Sequence, residues 1–422
     1  MPWYAHRDGE LFAEDVRLAD IAERHGTPTF VYSARAIREA YREFAEACAG
    51  RPVTICYALK ANSNLAVIDL LAREGAGFDI VSLGELRRVQ AVGGDPARVV
   101  FSGVGKSAGE MRAALEAGVG CFNVESEPEL RRLSDVAQGM GRRAAVSLRV
   151  NPDVDPGTHP YISTGLRQNK FGIAHEQAVA TYRLAARLPG IEVVGIDCHI
   201  GSQITSIAPF LAAADRVADL VDELRAEGIE LRHIDLGGGL GIRYREEEPP
   251  TRRALMEAVL GRLDERFGAG RYEILFEFGR ALVGNAGLLL TRVEYLKEAS
   301  ERRFAIVDAA MNDLIRPSLY DAWHGVVPVR PRKGAPLVYD IVGPVCESGD
   351  WLARERELCL EPGDLLAIES AGAYAMVMSS NYNSRGRAAE VMVDGDRARL
   401  VRERESLDSL FALERTLDAG RT

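Results

Sequence analysis

Val53-Thr54-Ile55-Cys56-Tyr57-Ala58-Leu59-Lys60-Ala61-Asn62 is the stretch whose reading decides the fold. Its first seven residues are β-branched, aromatic or aliphatic, the composition of a buried strand. Lys60 stands where that strand emerges. Desolvation at a strand end favours the neutral amine over the ammonium, and a neutral amine is a nucleophile that condenses with a carbonyl. The competing reading is a lysine that snorkels from the strand end into solvent. The residue by itself does not separate the two.

Working outward, the same grammar repeats. Between residues 53 and 280, short apolar segments at 53–58, 77–81, 98–102, 120–125, 144–150, 192–199, 232–236 and 273–278 read as strands. Amphipathic stretches between them, such as 65–73, 85–92, 108–117, 128–138 and 209–227, read as helices. A doubly wound sheet shares this local pattern. Eight repeats over about 230 residues fit a (β/α)8 TIM barrel. Beyond residue 281 the pattern changes to β-like segments at 287–297, 304–308, 337–342, 364–369 and 389–394, with helical stretches only near 311–323 and 404–416. The expected architecture is therefore an α/β chain: a barrel over residues 27–281, and a mainly β domain, sandwich- or barrel-like, built from 282–422 with 1–26.

The bulk numbers narrow the function. A chain of 422 residues exceeds one ordinary core. A net charge of −10 argues against nucleic acid or an anionic membrane surface as the main partner. No apolar run approaches the ~20 residues of a spanning helix, and Met1–Asp8 lacks the apolar core of a signal peptide, so a cytoplasmic protein is expected. Six scattered cysteines show no pairing suited to zinc or a redox dithiol. Five of them read as core thiols. Cys346, in the glycine- and acid-rich loop Val342–Asp350, does not. Seven scattered histidines give no ligand cluster, so no metal is expected. Gly103-Val104-Gly105-Lys106-Ser107 imitates the end of a nucleotide loop, but Val100 stands where that motif requires glycine.

In a barrel the chemistry sits where strands end and βα loops begin. Those ends carry Lys60, Asp79, Ser102, Glu125, Arg149, His199, the triglycine Gly237-Gly238-Gly239, and Glu277 with Arg280. The triglycine follows the seventh strand, where barrels often bind phosphate on backbone amides. Polar residues also gather at strand exits for structural reasons alone.

Taken together, the motifs resemble the alanine-racemase-like, fold type III decarboxylases that depend on pyridoxal 5'-phosphate. They are Tyr57–Asn62, Gly77-Phe78-Asp79, Asn151–Gly172 with His159–Gly165, Cys198–Gln203, the triglycine, Glu277–Arg280, Asn312–Tyr320, Cys346-Glu347 and Ser370–Tyr374. The resemblance covers nearly the whole chain in order. His159–Gly165 and Arg316–Tyr320 resemble the branch that acts on diaminopimelate. One departure stands out: the family usually shows Glu-Pro-Gly-Arg after the eighth strand, and here it is Glu277-Phe278-Gly279-Arg280. Without the proline, φ is no longer fixed there, and Phe278 can instead pack against the barrel rim.

The resemblance implies roles. Lys60 holds the cofactor and Glu277 keeps its ring nitrogen protonated. His199 stacks on the ring. Ser202, Gly237, Gly238, Gly239 and the loop of Glu277, Phe278, Gly279 and Arg280 hold the phosphate. Asp79 and Arg149 form a supporting pair, and Tyr374 contacts cofactor and substrate. Cys346 protonates Cα, since a thiol with an ordinary pKa near 8.5 is mostly protonated at neutral pH. Arg280, Arg316, Tyr320, Glu347 and Tyr374 meet the substrate; guanidinium forks suit its carboxylates and Glu347 its amine. The implied reaction is decarboxylation of meso-2,6-diaminopimelate to L-lysine and CO2, the last step of lysine biosynthesis, in a homodimer whose active sites are shared through Cys346 and Glu347. The alternatives are a related decarboxylase of ornithine, arginine, carboxynorspermidine or a D-amino acid, a racemase built on the same barrel, against which the Cys346-Glu347 loop argues, and a fold relative that has lost the cofactor.

Overall fold

Eight parallel strands close on themselves: Val53–Ala58 (β1), Gly77–Ile80 (β2), Val99–Phe101 (β3), Cys121–Val124 (β4), Ala144–Asn151 (β5), Ile191–Asp197 (β6), His233–Asp235 (β7) and Glu273–Phe278 (β8). Each pairs with the next, and β8 pairs with β1 to complete the barrel. All eight fall within two residues of their expected limits. The structure, a computed structural model, describes residues 3–155 and 170–417, so the His159–Gly165 motif lies outside the described residues.

The turn from strand to helix has a local cause in the sequence. Asn64 Oδ1 accepts the Ala66 N–H at 2.9 Å, and Ser82 and Ser126 accept the N–H groups of Glu85 and Glu129 at 3.3 Å. Ser107 and Glu110 form a reciprocal capping box. Each cap satisfies an orphan amide of the following helix and leaves the strand-exit side chains gathered at one rim. Lys106, in the loop that imitated a nucleotide site, is a buried strut. Its Nζ donates to the carbonyls of Gly103 and Asn123 at 2.6 and 2.8 Å and pairs with Glu129 at 2.8 Å.

The chain divides into two units, Ile37–Val283 and Met1–Ala36 with Gly284–Thr422. The expected boundary at residue 27 precedes Thr29–Ser33. That segment pairs antiparallel with Gly287–Glu298 and parallel with Ala389–Asp394, so its hydrogen bonds tie it to the second unit. The main sheet of that unit runs Trp351–Leu358, Leu337–Val342, Arg303–Val307, Gly287–Glu298, Thr29–Ser33, Ala389–Asp394, Arg397–Arg402. Val31, Leu288, Leu290, Ala367, Val391 and Val393 share its core with Tyr4, Leu11 and Leu18.

Two helical expectations shrink. The stretch near 311–323 keeps only Arg316–Tyr320, which starts with Pro317 in its first turn and stops at a left-handed Asp321. Within 404–416 only the turn Asp408–Leu410 forms. Leu407, Phe411 and Leu413 are exposed there, and a short helix without a buried face is marginal in water.

Phe278 sits at the end of β8 with its ring stacked on Phe44, centroids 4.1 Å apart, and on Phe276 at 5.4 Å. It is almost fully buried. Phe278→Ala is expected to cost about 3–5 kcal/mol of barrel stability, read as a lower urea midpoint, with Phe278→Leu intermediate.

Candidate active site

Strand register assembles the centre of the site. Arg149, Asp197 and Asp235 lie opposite one another across β5, β6 and β7. Residues in register on adjacent strands point to the same face, so a cation and two acids enter the barrel mouth together. Arg149 Nη1 lies 3.2 Å from Glu125 Oε1 and its Nε 3.9 Å from Asp197. Lys60 follows β1 and donates to Asp79 Oδ2 at 2.7 Å. The expected Asp79–Arg149 pair is therefore replaced by two others, and Lys60 is one half of an ion pair rather than a solitary desolvated amine. Glu277 accepts hydrogen bonds from Ser102 Oγ and Asn123 Nδ2, both at 3.2 Å.

This rim carries more acids than bases. Carboxylate oxygens of Asp197, Asp235 and Glu277 lie within 4.8 Å of one another, all buried. Burial pushes Glu277 and Asp197 well above their ordinary values, and neighbouring carboxylates add to the rise. Burial likewise pushes Asp235 up to about 7, although the Gly237 N–H opposes it. Asp235 Oδ2 is buried with no hydrogen-bond partner among the described residues. A proton shared between Asp235 and Glu277 answers both facts, because two adjacent ionised acids cannot bond each other.

The opposite chemistry lies beside it. Arg280 is buried and donates to Ser202 Oγ at 2.9 and 3.3 Å and to the Tyr244 hydroxyl at 2.5 Å. The Gly238 N–H donates to His199 Nδ1 at 3.1 Å, which puts the ring hydrogen on Nε2. Burial, with Arg149 and Lys60 nearby, holds His199 well below its ordinary pKa, so the ring is neutral. The triglycine is also forced by packing. A Cβ on Gly238 would run into the Glu277 carbonyl, and Gly239, at φ 105°, would meet that of Gly201. Phe278 presents its ring to the aromatic stack, which leaves only its backbone beside Gly279 at the strand exit.

In the second unit, Arg316 is buried, and Tyr320 and Tyr374 are half-buried. Tyr374 sits at φ 55°, a left-handed conformation costly for a bulky residue and frequent at functional sites. Cys346 and Glu347 are exposed. Their loop is pinned from inside: Asp350 accepts the N–H groups of Val345 and Met311, both at 2.7 Å, and Asn383 Oδ1 accepts that of Cys346 at 2.8 Å. All six cysteines are free. Four are buried as expected, whereas Cys359 is only half-buried.

A family model for the pyridoxal-dependent decarboxylases, pyridoxal binding domain, matches residues 34–284. The chain is 60% identical to diaminopimelate decarboxylase of Pseudomonas aeruginosa, over 99% of its own length and 100% of the relative's. The chain belongs to the diaminopimelate decarboxylase family. Two solved structures carry the same fold. The Helicobacter pylori diaminopimelate decarboxylase complexed with L-lysine has a TM-score of 0.90 and 42% identity, covering 94% of this chain and 98% of that one. The M. jannaschii enzyme in co-complex with L-lysine has a TM-score of 0.94 and 38% identity, covering 98% of each.

The residues present fit pyridoxal phosphate. An acid-rich group around Glu277 lacks positive charge, which a protonated ring nitrogen brings. The Arg280 and Ser202 donors suit an anionic phosphate, with the Gly239 N–H beside them, whereas the Gly237 and Gly238 N–H groups are taken by Asp235 and His199. Three further participants carry a signal in the sequence. Asp197 and Asp235 end β6 and β7 just before His199 and the triglycine, and Asn123 lies two residues from Glu125, hence on the same strand face. Tyr244 lies in a loop and gave no signal.

Asp235 also sets a pH dependence. Unfolded, it ionises near 3.8; folded, near 7. The folded state therefore binds more protons across that window, and stability falls as pH rises through it. Cofactor-free protein is expected to have a higher urea midpoint at pH 5 than at pH 8, and Asp235→Asn to flatten that slope.

Proposed function

We propose that this protein decarboxylates meso-2,6-diaminopimelate to L-lysine and CO2, with pyridoxal phosphate held on Lys60. The observation that carries the reading is the placement of Lys60, His199, Glu277 and Arg280 at strand exits of one closed barrel, in a chain matched end to end by diaminopimelate decarboxylases. When bound, pyridoxal phosphate supplies an electron sink for the pair released as CO2 leaves.

The chain's own residues do the rest. Lys60 would hold the cofactor through its side-chain amine, and Asp79, 2.7 Å from Nζ, would pair with that group whenever it is free and protonated. Glu277 keeps a proton on the ring nitrogen; Ser102 and Asn123 fix that carboxylate, and a charge-assisted bond of this kind contributes about 1.5–3 kcal/mol. His199, neutral and oriented by Gly238, lies against the ring without adding charge. Arg280, Ser202 and the Gly239 N–H hold the phosphate; the Gly237 and Gly238 N–H groups, expected to do the same, are engaged by Asp235 and His199. Arg316 and Tyr320 meet the distal carboxylate, Glu347 the distal ammonium, and Tyr374 contacts cofactor and substrate. Cys346 delivers a proton to Cα from its thiol. Because the Cys346–Glu347 loop is exposed yet internally pinned, it suits a partner subunit's site, and the working unit is a homodimer with shared sites. Six free thiols suit a reducing cytoplasm.

The rival substrates ornithine and arginine lack a distal carboxylate, which leaves buried Arg316 without a ligand. Purified holoenzyme is expected to release CO2 from meso-diaminopimelate and not from ornithine, arginine or lysine; preference for one of these overturns the substrate reading. Lys60→Ala is expected to lose the visible absorbance of the bound cofactor. Cys346→Ala should lower kcat by about 10²–10⁴-fold. Mixing these two inactive variants should restore about a quarter of wild-type activity through mixed dimers with one intact site, and no recovery refutes the shared site.

A further inference from the structure

Arg316 opens the short helix Arg316–Tyr320, and a left-handed Asp321, φ 52°, bends the chain back so that His324 faces it. Both side chains are buried, His324 completely. Arg316 Nη1 stands 3.0 Å from His324 Nε2, and His324 Nδ1 stands 2.8 Å from the Glu369 carbonyl oxygen. A guanidinium only donates and a carbonyl only accepts. Nε2 is therefore the unprotonated nitrogen, Nδ1 carries the hydrogen, and the imidazole is neutral. The His324 carbonyl in turn accepts Arg356 Nη2 at 2.9 Å, and the Arg356 guanidinium lies over the Trp323 ring at 4.6 Å. The turn is held from both sides of the histidine.

The chemistry of this contact is selective. A carboxylate beside Arg316 would orient the guanidinium and also cancel its charge. A neutral imidazole orients it without that cancellation. An arginine oriented this way presents its guanidinium fork in a fixed plane.

We propose that His324 is a positioning residue for Arg316. It fixes the plane in which the guanidinium meets the distal carboxylate of the substrate, the carboxylate that the product keeps. This rests on the reading of Arg316 as the residue that meets that group.

The test is calorimetric titration of holoenzyme with L-lysine and with pentane-1,5-diamine, which lacks the carboxylate. His324→Leu is expected to weaken L-lysine binding about tenfold, with a matching rise in KM for meso-diaminopimelate and little change in kcat. It should leave the diamine Kd within about twofold, and adding it to Arg316→Ala should cost less than about twofold more, because sites that act through one contact are not additive. His324→Gln, which keeps an acceptor, should hold L-lysine within about threefold of wild type. Equal weakening of both ligands, or the full penalty persisting on the Arg316→Ala background, overturns the proposal. If His324→Leu does not fold, His324→Gln decides: a loss of L-lysine affinity as large as that of Arg316→Ala also overturns it. Wild type that fails to bind L-lysine overturns the substrate reading and this inference with it. Wild type that binds, with His324→Leu indistinguishable from it, overturns this inference alone.

Discussion

The site depends on an imbalance of buried charge at the barrel mouth. Among the described residues, Lys60 and Arg149 are the close cationic partners of Asp79, Glu125 and Asp197, and Asp235 and Glu277 lie beside them. Charges withdrawn from water must be paired, protonated or matched by a ligand. Asp79 and Glu125 take the two cations. Asp197, Asp235 and Glu277 are left with raised proton affinities. The pH response of the cofactor-free protein follows from that electrostatic deficit.

Neutrality is used as deliberately as charge. His199 is kept uncharged by burial and by a backbone N–H on Nδ1. In the second unit His324 is kept uncharged by an arginine on one nitrogen and a carbonyl on the other. In each case the imidazole makes a directed hydrogen bond without adding a net charge. The Cys346 loop is held from within the same unit: Asp350 and Asn383 accept backbone amides, and Tyr382 pairs with the Glu347 side chain.

Much of the fold was legible because its cause is local. Buried parallel strands write themselves as apolar runs, and Asn64, Ser82, Ser107 and Ser126 cap the first four barrel helices, whereas His175–Ala185 and Ala208–Ala226 start without a side-chain cap. The failures also have local causes. Thr29–Ser33 reads as the prelude to a barrel, but nothing in it names the strands at Gly287–Glu298 and Ala389–Asp394 that claim its hydrogen bonds. The stretch 404–416 has helical spacing and no buried face to pack.

The sequence alone determined the eightfold strand–helix alternation, the strand-exit positions of Lys60, His199, Glu277 and Arg280, and the motifs of a pyridoxal-dependent decarboxylase. These rest on residue type and spacing, which the chain carries openly. Only the tertiary structure decided who partners whom: Lys60 with Asp79, Arg149 with Glu125 and Asp197, Asp235 with Glu277, Arg316 with His324. Pairing across strands and turns is set by register and closure, which bring together residues far apart in the chain and are written in no single segment of it.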